Sequence, residues 1–189
     1  MPLKKFFMGT SMKQIFFLYN VLGFKVCWWA CVLGAINGQK FLGPLLVGLY
    51  LLVHLYMIPE ALRKSEVFLL VVAGIFGTIA DSLLLNTNIL VYDGMYSSVD
   101  FIAPLWITAM WVGFTATLNH AFKNIIKKYF IQMILGAVAG PMAYIAGNNL
   151  GAIKFSSMYS ESFVVVIIAV VWGGSFPLLC WISNRMRGK

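Results

Sequence analysis

The sequence predicts an all-α membrane protein, a bundle of six transmembrane helices with both termini on the cytoplasmic face. Three observations carry that reading. Hydrophobic side chains make up 61% of the 189 residues and charged ones 11%, against about 45–50% and about 25% in a soluble domain. Six apolar stretches approach the ~20 residues that a membrane crossing needs. The basic residues alternate between the connections in a way that only an even number of spans explains.

The stretches fall at about 15–36, 41–58, 66–86, 101–122, 130–149 and 162–183, in one membrane domain covering residues 1–189, each bounded by charges, Gly/Pro/Asn clusters or aromatic residues. The first follows a basic N-terminus as a signal peptide would. Its apolar run is too long for one and no small-residue cleavage pattern follows, so it reads as a retained helix. Trp29-Ala30-Cys31 does not supply the context of a lipidated cysteine. The fifth stretch is rich in small residues, with Gly136 and Gly140 four apart and Pro141 beside them. That spacing lets neighbouring helices approach closely and predicts a central helix, with a kink at Pro141. Six spans use about 120 residues, which leaves no room for a separate globular domain. Three cysteines, all in apolar runs, exclude a disulfide scaffold.

Lys4, Lys5, Lys13, Arg63, Lys64, Lys123, Lys127, Lys128, Arg185, Arg187 and Lys189 fall on one side, and only Lys40 and Lys154 on the other. Basic residues in short loops stay cytoplasmic, which sets both termini inside. The net charge of +8 is thus spread over short segments beside apolar helices. Its counterions are anionic lipid headgroups, and no nucleic-acid partner is expected. Lys4, Lys5, Phe6, Phe7 and Lys13 read as a basic flank.

Polar residues inside the spans mark candidate sites, because a charge at mid-depth costs at least ~3 kcal/mol and must face protein or a cavity. Lys25 lies near the middle of the first span and Asp81 in the outer half of the third, so each is the expected partner of the other. Asn148, near the outer end of the fifth span, is placed to line a polar vestibule. His54 and His120 fall near the cytoplasmic ends of spans two and four, level with Glu60 and Glu66. Two imidazoles and a carboxylate suit zinc or iron. No HxxH or HxxxH spacing joins them, so hydrogen bonding at helix ends, and no metal, is the expectation. Trp28, Trp111 and Trp172 lie near mid-depth, where their indole N–H groups need partners in other helices or a cavity. Trp181, Tyr56, Tyr92, Tyr96 and Tyr159 are placed in the interfacial belt.

The runs Gly77-Thr78-Ile79-Ala80-Asp81-Ser82, Pro104-Leu105-Trp106 through His120, and Gly136 to Ala152 resemble the DUF2878 family of bacterial inner-membrane proteins over nearly the whole chain. Asp81, Pro104, Trp106, Trp111, His120, Gly140, Pro141, Tyr144 and Gly147 fall on positions of the family's pattern, whereas Lys25 has no clear counterpart. The resemblance implies a neighbourhood of cyclopropane-fatty-acid-synthase-like enzymes, and hence membrane-lipid modification. The leading expectation is a bundle in the bacterial inner membrane that binds a lipid or lipid-derived substrate and assists or performs fatty-acyl modification. Asp81 is its catalytic candidate, and Lys25, Trp106, Trp111, Tyr144 and Asn148 its substrate-binding candidates. The alternatives are a small proton-coupled transporter, suggested by the Pro-interrupted fifth span, and a non-catalytic membrane assembly subunit. A zinc-dependent lipid hydrolase of the alkaline-ceramidase kind ranks lower, since such sites use three histidines and the chain has two.

Overall fold

Each apolar stretch becomes one helix. A computed structural model describes residues 10–96 and 98–187, with side chains from Gln14 onward. Lys4, Lys5, Phe6, Phe7, Lys189 and the side chain of Lys13 lie outside the described residues. The helices are α1 (Thr10–Ile36), α2 (Leu42–Met57), α3 (Glu60–Asn86), α4 (Leu105–Leu118), α5 (Tyr129–Asn149) and α6 (Glu161–Arg187). α3 starts six residues before the expected boundary because Pro59, whose fixed φ suits the mouth of a helix, stands at its N-cap. Pro104 sets the start of α4 in the same way.

Four helices, α1, α3, α5 and α6, are long and apolar enough to cross a membrane by length and composition. α2 and α4 have 16 and 14 residues, about 24 and 21 Å at 1.5 Å per residue. The outward face of α2 is nonetheless lipid-like: Leu45, Leu49, Leu52 and Val53 are exposed.

The expectation of a central α5 is not met. α4 is the enclosed helix, packed against α1, α2 and α3, while α5 lies principally against α6 and α6 against α3. Nine of the fourteen α4 residues are buried, as befits a helix that is apolar on all sides. The small residues of α5 serve α6 and, at Gly147 against Ile153, the strand that follows. A Cβ at Gly136 would overlap the Trp172 backbone carbonyl, and one at Gly140 the Trp172 ring. The rest of α5 turns outward, with Phe130, Ile134, Val138 and Met142 exposed. It also runs unbroken through Pro141.

The connections add a feature that apolar periodicity does not announce. β1 (Leu90–Tyr92), after α3, pairs antiparallel with β2 (Ile153–Phe155), after α5, in the register Leu90↔Phe155, Val91↔Lys154, Tyr92↔Ile153. This two-stranded sheet ties the ends of α3 and α5 together and aims Tyr92 inward. Tyr92 is therefore buried rather than interfacial.

Close approach at glycine gives the first prediction. A Cβ at Gly77 would collide with the Trp111 ring, whereas one at Gly48 meets nothing within 4 Å. Gly77→Val should cost about 1–3 kcal/mol through overpacking, while Gly48→Ala should be neutral or stabilising, both read as thermal stability by fluorescence-detected size exclusion.

Candidate functional site

Two polar centres and one cavity make up the candidate site. The first centre is Asp81, fully buried on α3. Its Oδ1 accepts from the Tyr92 hydroxyl at 2.6 Å and the Tyr144 hydroxyl at 2.5 Å, and its Oδ2 accepts from the Trp111 indole N–H at 2.5 Å. Three elements outside α3 (β1, α4 and α5) therefore each send one aromatic donor to a single carboxylate. Burial, then the adjacent carboxylate, push the Tyr92 hydroxyl well above its ordinary range, so it remains a donor.

Lys25 is not the partner of Asp81. Its side chain is exposed on α1, and among the described residues no cation lies within ion-pairing distance of Asp81. The physical reason is twofold: neutral donors already satisfy the carboxylate, and a lysine on a lipid-facing surface can carry its ammonium along the helix towards the headgroups.

The cavity, about 240 Å³, lies between α1, α4, α5 and α6. Phe24, Trp28, Trp111, Gly140, Tyr144 and Trp172 define its wall, which is almost wholly apolar. Trp111 and Trp172 stack with centroids 4.3 Å apart. Asp81 does not line the cavity; two of its three donors do. The Trp172 indole N–H is buried and has no hydrogen-bond partner among the described residues. α1 and α5 are not closely packed on one another, and beside the cavity, sharing Phe24 and Trp28 with it, lies a groove bounded further by Lys25, Trp29 and Asn149.

Trp106 and Asn148 serve the framework instead. The Trp106 indole donates to the Asp93 carbonyl at 2.8 Å, and its ring packs edge-on against Tyr92. Asn148 Oδ1 accepts from the Phe155 N–H at 3.1 Å, holding β2 to the end of α5.

The second centre stands at the opposite end of α3, fifteen residues and ~22 Å along the helix from the first. Glu66 is fully buried, as is His54. Glu66 Oε1 lies 3.3 Å from His54 Nε2 and 3.9 Å from His120 Nε2. Its Oε2 accepts from the Arg187 guanidinium at 2.6 Å and Asn119 Nδ2 at 3.2 Å. Asn20 of α1 donates to the Phe16 carbonyl and turns its Oδ1 towards His54 Nδ1, 2.8 Å away. His120 lies in the turn after α4, its Nε2 buried and without a hydrogen-bond partner among the described residues. His54, Glu66 and His120 together present ligand atoms within 4.8 Å of one another. Glu60, expected at the same level, is exposed and takes no part.

Tyr92, Asn20, Asn119 and Arg187 join these centres without a signal strong enough to place them from sequence. The nearest to one was Asn20, a polar residue early in an apolar span. Among known families, the one described as "Protein of unknown function (DUF2878)" matches residues 17–178 of the chain. Neither the curated proteins nor the solved structures yield a match.

Asp81→Ala leaves three buried donors without an acceptor, each at about 1–3 kcal/mol. It should abolish stable expression or lower the melting temperature sharply, with a shift in tryptophan emission. Lys25→Met should leave stability within about 0.5 kcal/mol and should not rescue Asp81→Asn.

Proposed function

The chain belongs to the DUF2878 family, and from that premise we propose a six-span, both-termini-in protein of the bacterial inner membrane that binds the acyl chain of a lipid or lipid-derived substrate. In this reading it assists or performs fatty-acyl modification, in company with cyclopropane-fatty-acid-synthase-like enzymes. The observation that carries it is the aromatic-walled cavity beside a groove between two lipid-facing helices. An engineered apolar cavity of about 150 Å³ takes benzene, so 240 Å³ holds a segment of an acyl chain whose remainder stays in the bilayer. Lys25 and Asn149, at the groove, meet the polar head. The unpartnered Trp172 N–H suits a carbonyl oxygen near the chain. Tyr144 and Trp111 touch the chain, and Asp81 acts behind them as the group that orients both.

Six crossings are supported by how the short helices run. α2 passes from Gly43, packed on Cys31, to His54, bound to Asn20. It therefore retraces the depth of α1. α4 passes from Trp111, bound to Asp81, to the Asn119 and Glu66 pair, retracing α3. The transporter reading drew on a broken fifth helix and a polar path. A continuous α5 and an apolar wall lend it no support.

Two measurements test this. Fatty acids and phospholipids with brominated acyl chains should quench the cavity tryptophans saturably, and Ala139→Phe, which fills the wall, should weaken that quenching at least tenfold while leaving the elution profile intact. Lys25→Gln should weaken binding of anionic amphiphiles more than neutral ones. Equal quenching in wild type and Ala139→Phe would mean that lipid reaches only the outer surface, and the reading would fail. For topology, a green fluorescent protein after the C-terminus should fluoresce and alkaline phosphatase joined at Met158 should be active.

A further inference from the structure

We propose that His54, Glu66 and His120 bind one divalent transition-metal ion, of the zinc or iron(II) type. The centre lies at the other end of α3 from the cavity's aromatic cluster, and the proposal does not rest on the lipid reading.

The argument begins with protons. Asn20 donates its Nδ2 to a backbone carbonyl, so its Oδ1 faces His54 Nδ1 and also accepts from the Tyr50 hydroxyl at 2.9 Å. Nδ1 of His54 must therefore carry the hydrogen. In the neutral ring this leaves a lone pair on Nε2, aimed at a carboxylate oxygen 3.3 Å away. Two acceptors facing each other in a dry interior repel unless a positive centre joins them. His120 Nε2, buried and without a hydrogen-bond partner among the described residues, lies 3.9 Å from the same oxygen. Three potential ligand atoms thus converge from the end of α2, the start of α3 and the turn after α4.

The spacing fits a metal. Bonds of about 2.0–2.1 Å at tetrahedral angles put neighbouring ligand atoms roughly 3.3 Å apart. The His54 to Glu66 separation is 3.3 Å, the His120 to Glu66 separation 3.9 Å, and all three ligand atoms lie within 4.8 Å of one another, so movement of the His120 ring towards the other two completes the set. The surroundings match what metal ligands require. The histidine's other N–H is held by an amide oxygen, and the carboxylate's other oxygen by Arg187 and Asn119. Phe16 covers both imidazoles, with centroids 5.6 Å from His54 and 4.5 Å from His120. Two neutral imidazoles and one carboxylate leave at least one coordination position for water or an exogenous ligand, the pattern of a reactive rather than a closed structural site. Because Arg187 already balances Glu66, a bound dication leaves the centre positive, so that position favours hydroxide or another anion.

The test uses the full chain purified in detergent. Elemental analysis should find zinc or iron near one per chain. After chelation, cobalt(II) should give visible d–d absorption that saturates at one equivalent, and added zinc or iron(II) should raise the melting temperature. His120→Ala should lose at least tenfold in metal affinity, and its melting temperature, already lowered by loss of the ring packed on Phe16, should no longer rise when zinc or iron(II) is added. His54→Ala disturbs Asn20 and Glu66 as well and serves only as a second variant. Retention of either zinc or iron supports the proposal. It is overturned if chelated wild type takes up no cobalt and shows no thermal shift, or if His120→Ala binds metal as tightly as wild type. The three side chains would then be a hydrogen-bonded helix clamp.

Discussion

A carboxylate beyond the reach of water has to be surrounded by donors, and in this protein two such carboxylates on one helix organise the bundle. A membrane interior offers no solvent to repair an unpaired group. The donors for Asp81 and Glu66 must therefore come from other elements, and each donor that arrives fixes the position of the element carrying it. Asp81 draws in β1, α4 and α5. Glu66 draws in α4 and α6 through donors on Asn119 and Arg187, and sits against His54 of α2. Lipid tails are as apolar as leucine, so apolar contact alone does not choose which helix lies beside which. The polar centres and the small-residue contacts make that choice.

The cavity follows from the same constraint. α4 is held between the centres, with Trp111 committed to Asp81 at one end and Asn119 to Glu66 at the other. α5 is held against α6 by Gly136 and Gly140 on Trp172. Among the described residues nothing comparable joins α1 to α5, and a cavity walled by aromatic rings lies between them. The aromatic lining is thus the reverse side of the polar scaffold: Trp111 and Tyr144 point their polar atoms at Asp81 and their faces at the hollow.

The helices were legible because length, hydropathy and punctuation are local properties. Asp81 and the pair His54 and His120 could be flagged because depth along a span can be counted from sequence, and the level of Glu66 with them came from the same count. Lys25 shows where counting ends. Its depth was compatible with Asp81, but α1 is apolar on nearly every side and nothing in its pattern says which side meets the bundle. Tyr92 was hidden for a different reason: strands of three residues are too short to show a period of two, so an inward-pointing tyrosine looked like an interfacial one.

By itself the sequence determined how many helices form and roughly which residues each contains, because these follow from transfer energies summed along the chain. Only the tertiary structure decided which faces meet. It gave Asp81 three aromatic donors instead of a lysine, put α4 rather than α5 in the middle, and brought two distant histidines to one glutamate. Rotation of a helix about its own axis is set by contacts between segments far apart in the chain, and a uniformly apolar helix carries no record of it.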